Sequence, residues 1–449
     1  MFMLESYFLP AMILAVICLG SGMQVKAAPA PGWAAAPGIA QTSTLTLGES
    51  ILFALDRDPS VSQQAAQFGI GQAQIDQARS AWMPQISLNG STGHSRTTDS
   101  SGSLKNSAAY GLSLTQLVYD FGKTNSNISQ QQSQRESYRY QLMATLTGVA
   151  EKTAQAYVDL KRNEALVEAT EESIAALQNV NAMAKLRADA GLNSSSDVLQ
   201  TQTRIAGMRS TLEQYRAARQ SAKARLAVLT GVSAANYQAM PVRLALEQEP
   251  LDNIDYSLIP SVLAAEAMRE SSGYAVDKAK SGHWPTLSLR GGRTRYQSNN
   301  SAYWDDQIQL NVDAPIYQGG AVSAQVEQAQ GARRIAASQV EQAKFDVLQK
   351  ASVAMADWNG ARGRETAGAL QLENARRARE VYKNEYKLSK RSLNDLLSIE
   401  QDVFQAAYAQ INADFDGWQA AVIYAAAVDN LLPLTGVEKN AASKLPDLK

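Results

Sequence analysis

Only two histidines, His94 and His283, occur in the 449 residues. Both fall beside strand-like stretches, so no cluster can assemble a histidine metal site. Gly122-Lys-Thr124 ends like a phosphate-binding loop, but position 117, where that loop needs glycine, is Leu117. Ser113, in Gly111-Leu-Ser-Leu-Thr115, lacks the glycine spacing of a nucleophile elbow. Carboxylates are numerous but spread along helical stretches, where solvation is their default. These residues supply no nucleophile, base or metal set, so the chain is expected to be no enzyme and to carry no cofactor. Two polar constellations remain. Ser194-Ser-Ser-Asp197 and Ser392-Leu-Asn-Asp395 both fit the Ser-x-x-Asp pattern of a capping box. Their chemistry is hydrogen bonding and negative charge at the start of a helix.

The elements that must position them are set by an internal repeat, which decides the fold. Pro84 to Gly122 alternates apolar and polar residues on both sides of a Ser/Thr/Gly-rich run, which is a two-faced β-hairpin. The unit recurs from Pro285 to Gly320. Pro59 and Pro84 recur as Pro260 and Pro285, at an offset of 201. Tyr119, Gly122 and Asp197 recur as Tyr317, Gly320 and Asp395, at an offset of 198. The change of three falls inside the hairpin, where turn length is least constrained. Each half ends on the same word, Leu229-Thr-Gly-Val232 and Leu434-Thr-Gly-Val437. Repeat 1 therefore covers 46–232 and repeat 2 covers 259–437, each running helix, hairpin, very long helix, return helix. A connector, 233–258, joins them.

No proline occurs between Gln85 and Met240, or between Ile316 and Leu432. Proline costs about 3 kcal/mol inside a helix, so these windows permit unusual length. Apolar positions step by three and four from Leu142 to Val180. A helix over 123–190 would reach about 100 Å, and its counterpart runs over 321–388. The breaks that follow hold Asp197 and Asp395.

The formal net charge of −1 offers no basic footprint for nucleic acid. Residues 1–27 contain an apolar run, Tyr7 to Gly20, and are expected to be a secretory signal peptide cleaved after Ala27. That leader is atypical in carrying Glu5 and no Lys or Arg ahead of the run. Cys18 follows Ile17 rather than the small residue that lipidation requires, and cleavage would leave no cysteine. Residues 28–45 form a variable segment rich in Ala and Pro, expected to be disordered to Thr44, and 438–449 form a polar tail. No later apolar run reaches the length of a membrane helix. If the chain spans a membrane, it does so as a closed barrel.

Four strands cannot close one. A four-stranded sheet leaves two unpaired edges, which hydrocarbon does not tolerate. Three copies give twelve strands, an even number in the outer-membrane range. On the fourth strand Ile308, Leu310, Val312 and Ala314 suit lipid, and Gln307, Gln309, Asn311 and Asp313 suit a wet lumen. Tyr110, Tyr119, Tyr296, Tyr303, Trp304 and Tyr317 are expected in an aromatic girdle. Continued alternation from Leu287 would turn Arg293 and Arg295 toward lipid. Either Gly291-Gly292 makes a bulge that flips the phase, or these arginines lie at the headgroups. The long helices are too polar for lipid and would continue the pore beyond the membrane as an α-helical barrel.

In this order and duplication, the residues resemble the TolC family of outer-membrane efflux and secretion channels, over about Leu45 to Val437. The matching words are Ala54-Leu55 with Asp58-Pro59, Ala78-Arg-Ser80 leading to Pro84, Leu117-Val-Tyr-Asp-Phe-Gly122, Gly191 to Asp197-Val-Leu199, Tyr386 to Asp395-Leu-Leu397 and Leu-Thr-Gly-Val. The resemblance implies a homotrimer in the outer membrane of a Gram-negative bacterium, with a periplasmic tunnel closed at its tip. It implies a periplasmic adaptor and an inner-membrane transporter as partners. It places Asp197, Tyr386, Arg391 and Asp395 at the gating tip, although either aspartate could only cap its helix. The sequence departs at Ser398, where some relatives carry a second acidic residue. The Tyr119-Asp-Phe-Gly-Lys123 ending and the unlipidated leader look more like channels serving type I protein secretion with an ABC transporter. The alternative is multidrug or small-molecule efflux.

Overall fold

The computed structural model describes residues 38–95, 105–192, 194–241, 254–298 and 301–437. The leader with Cys18, the first hairpin's polar turn, the middle of the connector and the C-terminal tail lie outside the described residues. The described residues from Ala40 onward belong to one compact unit.

Strand β1, Ala40–Leu45, leads into α1, Leu47–Arg57. The Thr46 hydroxyl and the Glu49 carboxylate form a reciprocal capping box at that start. Asp58 then accepts the Ser60 N–H at 2.8 Å and opens α2, Pro59–Arg79, with Pro59 in the first turn, where its missing N–H costs nothing. The first hairpin is β2, Gln85–Ser95, and β3, Lys105–Tyr119. Helix α3, Lys123–Asp189, has 67 residues and spans about 100 Å. The return helix α4, Ser195–Thr230, runs into β4, Val232–Tyr237. The second half repeats this order: α5, Pro260–Lys280; β5, Thr286–Ser298; β6, Ser301–Asp313; α6, Ala321–Lys387, again of 67 residues; and α7, Leu393–Ala427. A single turn, α8, Leu431–Leu434, follows α7.

The joints repeat as well. Gly122 and Gly320 precede the long helices at φ +89° and +83°, in the left-handed region. Both long helices end in the same hydrogen-bonded turn. The Leu192 N–H reaches the Arg187 carbonyl and the Lys390 N–H reaches the Glu385 carbonyl, each at 2.9 Å. The turn residue is Gly191 in the first half and Ser389, at φ +60°, in the second.

Two sheets form. The smaller orders part of the segment expected to be disordered. The last residues of the segment read as disordered form β1, which pairs in parallel with β4 at the start of the connector, Ala40 beside Val232 and Leu45 beside Tyr237. Leu45, Ala234 and Tyr237 are all buried there against α1, the centre of α3 and the end of α7. A six-residue strand whose partner lies far along the chain leaves no periodicity to read.

The larger sheet has the order β2-β3-β5-β6, antiparallel throughout, with β2 and β6 at its edges. Directly paired residues share a face. One face carries the rows Ile86-Leu114-Gly291-Ile308 and Leu88-Leu112-Arg293-Asp306, then Leu289-Leu310 and Leu287-Val312 toward the helices. The other carries Gln85, Ser87, Asn89, Ser113, Thr115, Gln307, Gln309 and Asn311. Strand β5 pairs without interruption through Gly291 and Gly292, so no bulge flips its phase. Arg293 and Arg295 stay on the apolar face. The register shift falls instead between Leu117 and Tyr119. The expected aromatic girdle is split between the two faces. Tyr110 and Trp304 are on the apolar face, but Tyr296 pairs with Tyr303 on the polar face, their rings stacked at 5.4 Å.

Candidate functional site

The tip of the helical body is built from the far ends of α3 and α6, the turns after them, and the starts of α4 and α7. It has its own apolar core of Leu177, Val180, Ala184, Ile205, Leu393, Leu396 and Leu397. Tyr386 belongs to that core and is 1% exposed. Its place follows from the period of α6, which turns it inward one residue before the helix ends.

Arg187, in the last turn of α3, spans the two long helices. Its Nη1 donates to the Tyr386 carbonyl at 2.7 Å and its Nη2 to Ser389 Oγ at 2.8 Å. The guanidinium lies 4.9 Å from the centre of the Tyr386 ring. A planar fork can satisfy a carbonyl and a hydroxyl while lying on an aromatic face, which a lysine cannot do. The Ser389 hydroxyl thereby gains a structural role at its left-handed position, where the first half has Gly191.

Arg391 does not reach an aspartate. Its Nε donates to Glu385 Oε2 at 2.9 Å, and its guanidinium lies 4.2 Å from the Tyr382 ring centre. Asp395 completes a capping box. Its Oδ2 accepts the Ser392 N–H at 3.1 Å and the Ser392 hydroxyl at 2.9 Å, while Ser392 Oγ accepts the Asp395 N–H at 3.2 Å. The Ser392 hydroxyl and N–H, with Arg391 adding a smaller pull, hold the Asp395 carboxyl below the usual carboxylate range. That contribution is present above about pH 4 and is lost as the pH falls through the lowered value.

The first half differs. The Ser194 hydroxyl accepts from the Ser196 N–H, and the Asp197 N–H donates to the Ser194 carbonyl at 3.1 Å. The two return helices meet through Gln200 Nε2 and Asn394 Oδ1 at 2.7 Å and through Arg204 and Gln401 at 3.3 Å. The structure thus brings Tyr386 and Arg391 onto one helical hairpin, each with partners the sequence reading did not name: Arg187, Ser389, Tyr382 and Glu385. One signal was available. Arg187 and Glu385 occupy equivalent positions in the two halves, at the offset of 198, with opposite charge. Glu400 was also missed. It is 6% exposed, burial pushes its carboxyl up, and Arg379, 3.8 Å away, opposes that rise.

At the other end, the polar face of the sheet is knitted by its own side chains. Ser87 and Ser113 hydroxyls meet at 2.7 Å, and Asn89 Nδ2 donates to Ser113 Oγ at 2.9 Å. The strand-to-helix elbow explains the Asp-Phe-Gly word. Buried Asp120 accepts the Thr124 N–H at 2.7 Å and the Gly122 N–H at 3.2 Å, capping α3. Phe121, at φ +53°, stacks on Trp284 at 5.5 Å and meets the Tyr119 edge at 4.7 Å. The geometry is that of a two-faced sheet joined by capped elbows to a long helical body with a hydrogen-bonded tip.

Comparison with known proteins agrees with this geometry. The family model for outer membrane efflux proteins matches residues 52–232 and 258–423, one block on each half. The chain is 24% identical over 379 residues to the outer membrane efflux protein BepC of Brucella suis, covering 83% of this chain and 82% of BepC. It is 24% identical over 412 residues to the outer membrane protein TolC of Vibrio cholerae, covering 87% and 92%. It is 25% identical over 365 residues to protein CyaE of Bordetella pertussis, covering 77% and 76%. Among solved structures, CusC superposes with a TM-score of 0.77 at 15% identity, over 85% of this chain and 91% of CusC. The outer-membrane channel OprN superposes with a TM-score of 0.74 at 18% identity, over 86% and 90%. With matches to both halves and a shared fold along most of its length, the chain belongs to the outer membrane efflux protein family, whose members are outer-membrane channel proteins and not enzymes.

Proposed function

We propose that three copies of the chain close a twelve-stranded barrel in the outer membrane. Their long helices then form a periplasmic α-helical tunnel that serves as the exit duct of an export machine. The observation that carries this reading is the four-stranded sheet, apolar on one face, polar on the other and open at both β2 and β6. Edges pair only with further copies, and closure satisfies every backbone group in hydrocarbon. A wide wet tube supplies no energy, so an inner-membrane transporter drives it and a periplasmic adaptor joins the two.

The cargo we assign is protein, exported by a type I system with an ABC transporter, on the resemblance of the Tyr119 to Lys123 ending to such channels. Small-molecule efflux is the second reading, favoured by the family description and by the name of BepC. Comparing cells with and without the chain separates them. Loss of one or a few large proteins from the secreted fraction, with drug tolerance unchanged, is the expected result. An intact secreted fraction with raised drug accumulation would transfer the assignment to efflux.

The tip is the gate in this reading, with Asp197 and Asp395 at the constriction and Tyr386 and Arg391 holding it shut. Cap and gate roles of Asp395 separate by substitution. Asp395→Asn keeps an acceptor oxygen for the Ser392 N–H and removes the charge, while Asp395→Ala removes both. Both variants are expected to raise single-channel conductance in planar bilayers and to weaken block by multivalent cations. Asp395→Ala is expected to melt the start of α7 earlier than Asp395→Asn does, because it also removes the acceptor oxygen. Conductance and block unchanged in both would leave Asp395 a helix cap alone.

A further inference from the structure

The apolar face of the large sheet ends in a charged and aromatic cluster, on the side away from the helices. One row holds Tyr110, Arg295 and Trp304 on adjacent strands, and the row before it holds Leu112, Arg293 and Asp306. Arg293 and Arg295 are successive outward residues of β5, about 7 Å apart along the strand. Both guanidinium groups lie against the Trp304 ring, at 4.7 and 5.3 Å from its centre. Cation–π contact orients such side chains and strips part of their water. Arg293 Nε faces Asp306 Oδ1 at 3.3 Å, which leaves its terminal nitrogens unused by that pair. Arg295 has no carboxylate within salt-bridge distance among the described residues, so the cluster of two arginines and one aspartate keeps a net positive charge. The side chain of Arg293 is 61% exposed. The next rows toward the helices are Ile86, Leu114 and Ile308, then Leu289 and Leu310 with Gln116 beside them on β3.

We infer that Arg293 and Arg295 bind a phosphate of an outer-leaflet glycolipid whose acyl chains lie on the apolar rows beside them. Two forked guanidinium groups held against one tryptophan ring offer the planar donor pairs that recognise phosphate oxygens. Trp304 and Tyr110 suit the boundary between headgroups and hydrocarbon. The apolar strip along β5 and β6 selects a phosphate that carries a hydrocarbon tail over a free anion. The inference rests on the outer-membrane reading above, which puts the hairpin turns outside and this row in the outer leaflet.

Native mass spectrometry of the detergent-solubilised full chain tests it, with bis-phosphorylated lipid A, the same lipid A after phosphatase treatment, and inorganic phosphate as probes. The native protein is expected to retain the phosphorylated lipid about tenfold better than the dephosphorylated one, the scale of one charge-assisted contact. Arg293→Gln with Arg295→Gln should abolish that preference, and Arg293→Lys with Arg295→Lys, which keeps the charge but loses the fork and the stacking, should keep only part of it. Arg290→Gln, which removes an arginine from the opposite face, should keep it all. Equal retention of both lipids, equal loss in the Arg290→Gln variant, or displacement of the lipid by inorganic phosphate at matched concentration would each overturn the site. Conductance of the same preparation in planar bilayers reports the channel separately. A conducting protein without lipid preference refutes this inference alone, and a non-conducting one refutes the reading beneath it.

Discussion

Leu310→Arg should deplete the folded oligomer from the outer membrane, whereas Gln309→Arg, one residue away, should leave it in place. Leu310 pairs with Leu289 on the apolar face, between Val312 and Ile308, while Gln309 is on the face with Gln307 and Asn311. An arginine at the hydrocarbon midplane of a barrel costs about 2–4 kcal/mol, and a lumen substitution costs little. In a trimer that cost is incurred in every copy, against a total stability of about 5–15 kcal/mol for an ordinary domain. The readout is the amount of heat-labile, detergent-resistant oligomer recovered from washed membranes. Equal recovery of the two variants would show that the sheet does not face lipid on its Leu310 side. Loss of Gln309→Arg alone would reverse the assignment of the faces. The contrast between neighbours matters more than either value, because a general fault in export would remove both.

The second large effect is expected far from any pore. Tyr157, at the middle of α3, is fully buried. Its hydroxyl lies 3.0 Å from the Leu45 carbonyl and 2.8 Å from the Gln238 carbonyl, at the ends of β1 and β4. The ring packs edge-on to Tyr237 at 6.0 Å. One side chain thus joins the long helix to the parallel strand pair. Tyr157→Ala should lower stability by about 3–5 kcal/mol, the range for removing a large aromatic from a core. Tyr157→Phe keeps the packing and removes the hydroxyl donor from the Gln238 carbonyl, while the Leu45 carbonyl keeps the Gln238 N–H at 3.1 Å, for about 1–3 kcal/mol. Thermal melting of the solubilised protein gives both values. Hydrogen exchange should show the loss first in Ala40–Leu45, and unchanged protection there would disprove the coupling. Burial also pushes the Tyr157 phenol well above its usual range. An acid whose value is raised by folding contributes stability that disappears as pH rises, so melting temperature should fall above about pH 10, where the unfolded phenol ionises first.

Much of this protein was legible without coordinates because its signals are local and duplicated. Two long windows free of proline became two helices of 67 residues. Period-two alternation marked both hairpins, and Asp58-Pro59 marked a helix start that the structure forms with the expected cap. Ser392 and Asp395 form the box their spacing announced, because a capping box needs only four consecutive residues.

What stayed hidden depends on partners distant in the chain. Parallel pairing of β1 with β4 joins two segments that looked irregular, and neither carries a pattern alone. The phase of β5 through Gly291 and Gly292 was open in sequence, since a glycine pair permits a bulge without requiring one. The partner strands decided against it. The same register moved Tyr296 and Tyr303 to the polar face. At the tip, the family resemblance named Tyr386 and Arg391, but their partners came from folding. Arg187 meets Tyr386 and Ser389 only because two helices from opposite halves end side by side. Periodicity and caps are properties of consecutive residues, so the sequence by itself determined the elements and their duplication. Register, face and side-chain partnership are properties of segments brought together, and the tertiary structure alone decided them.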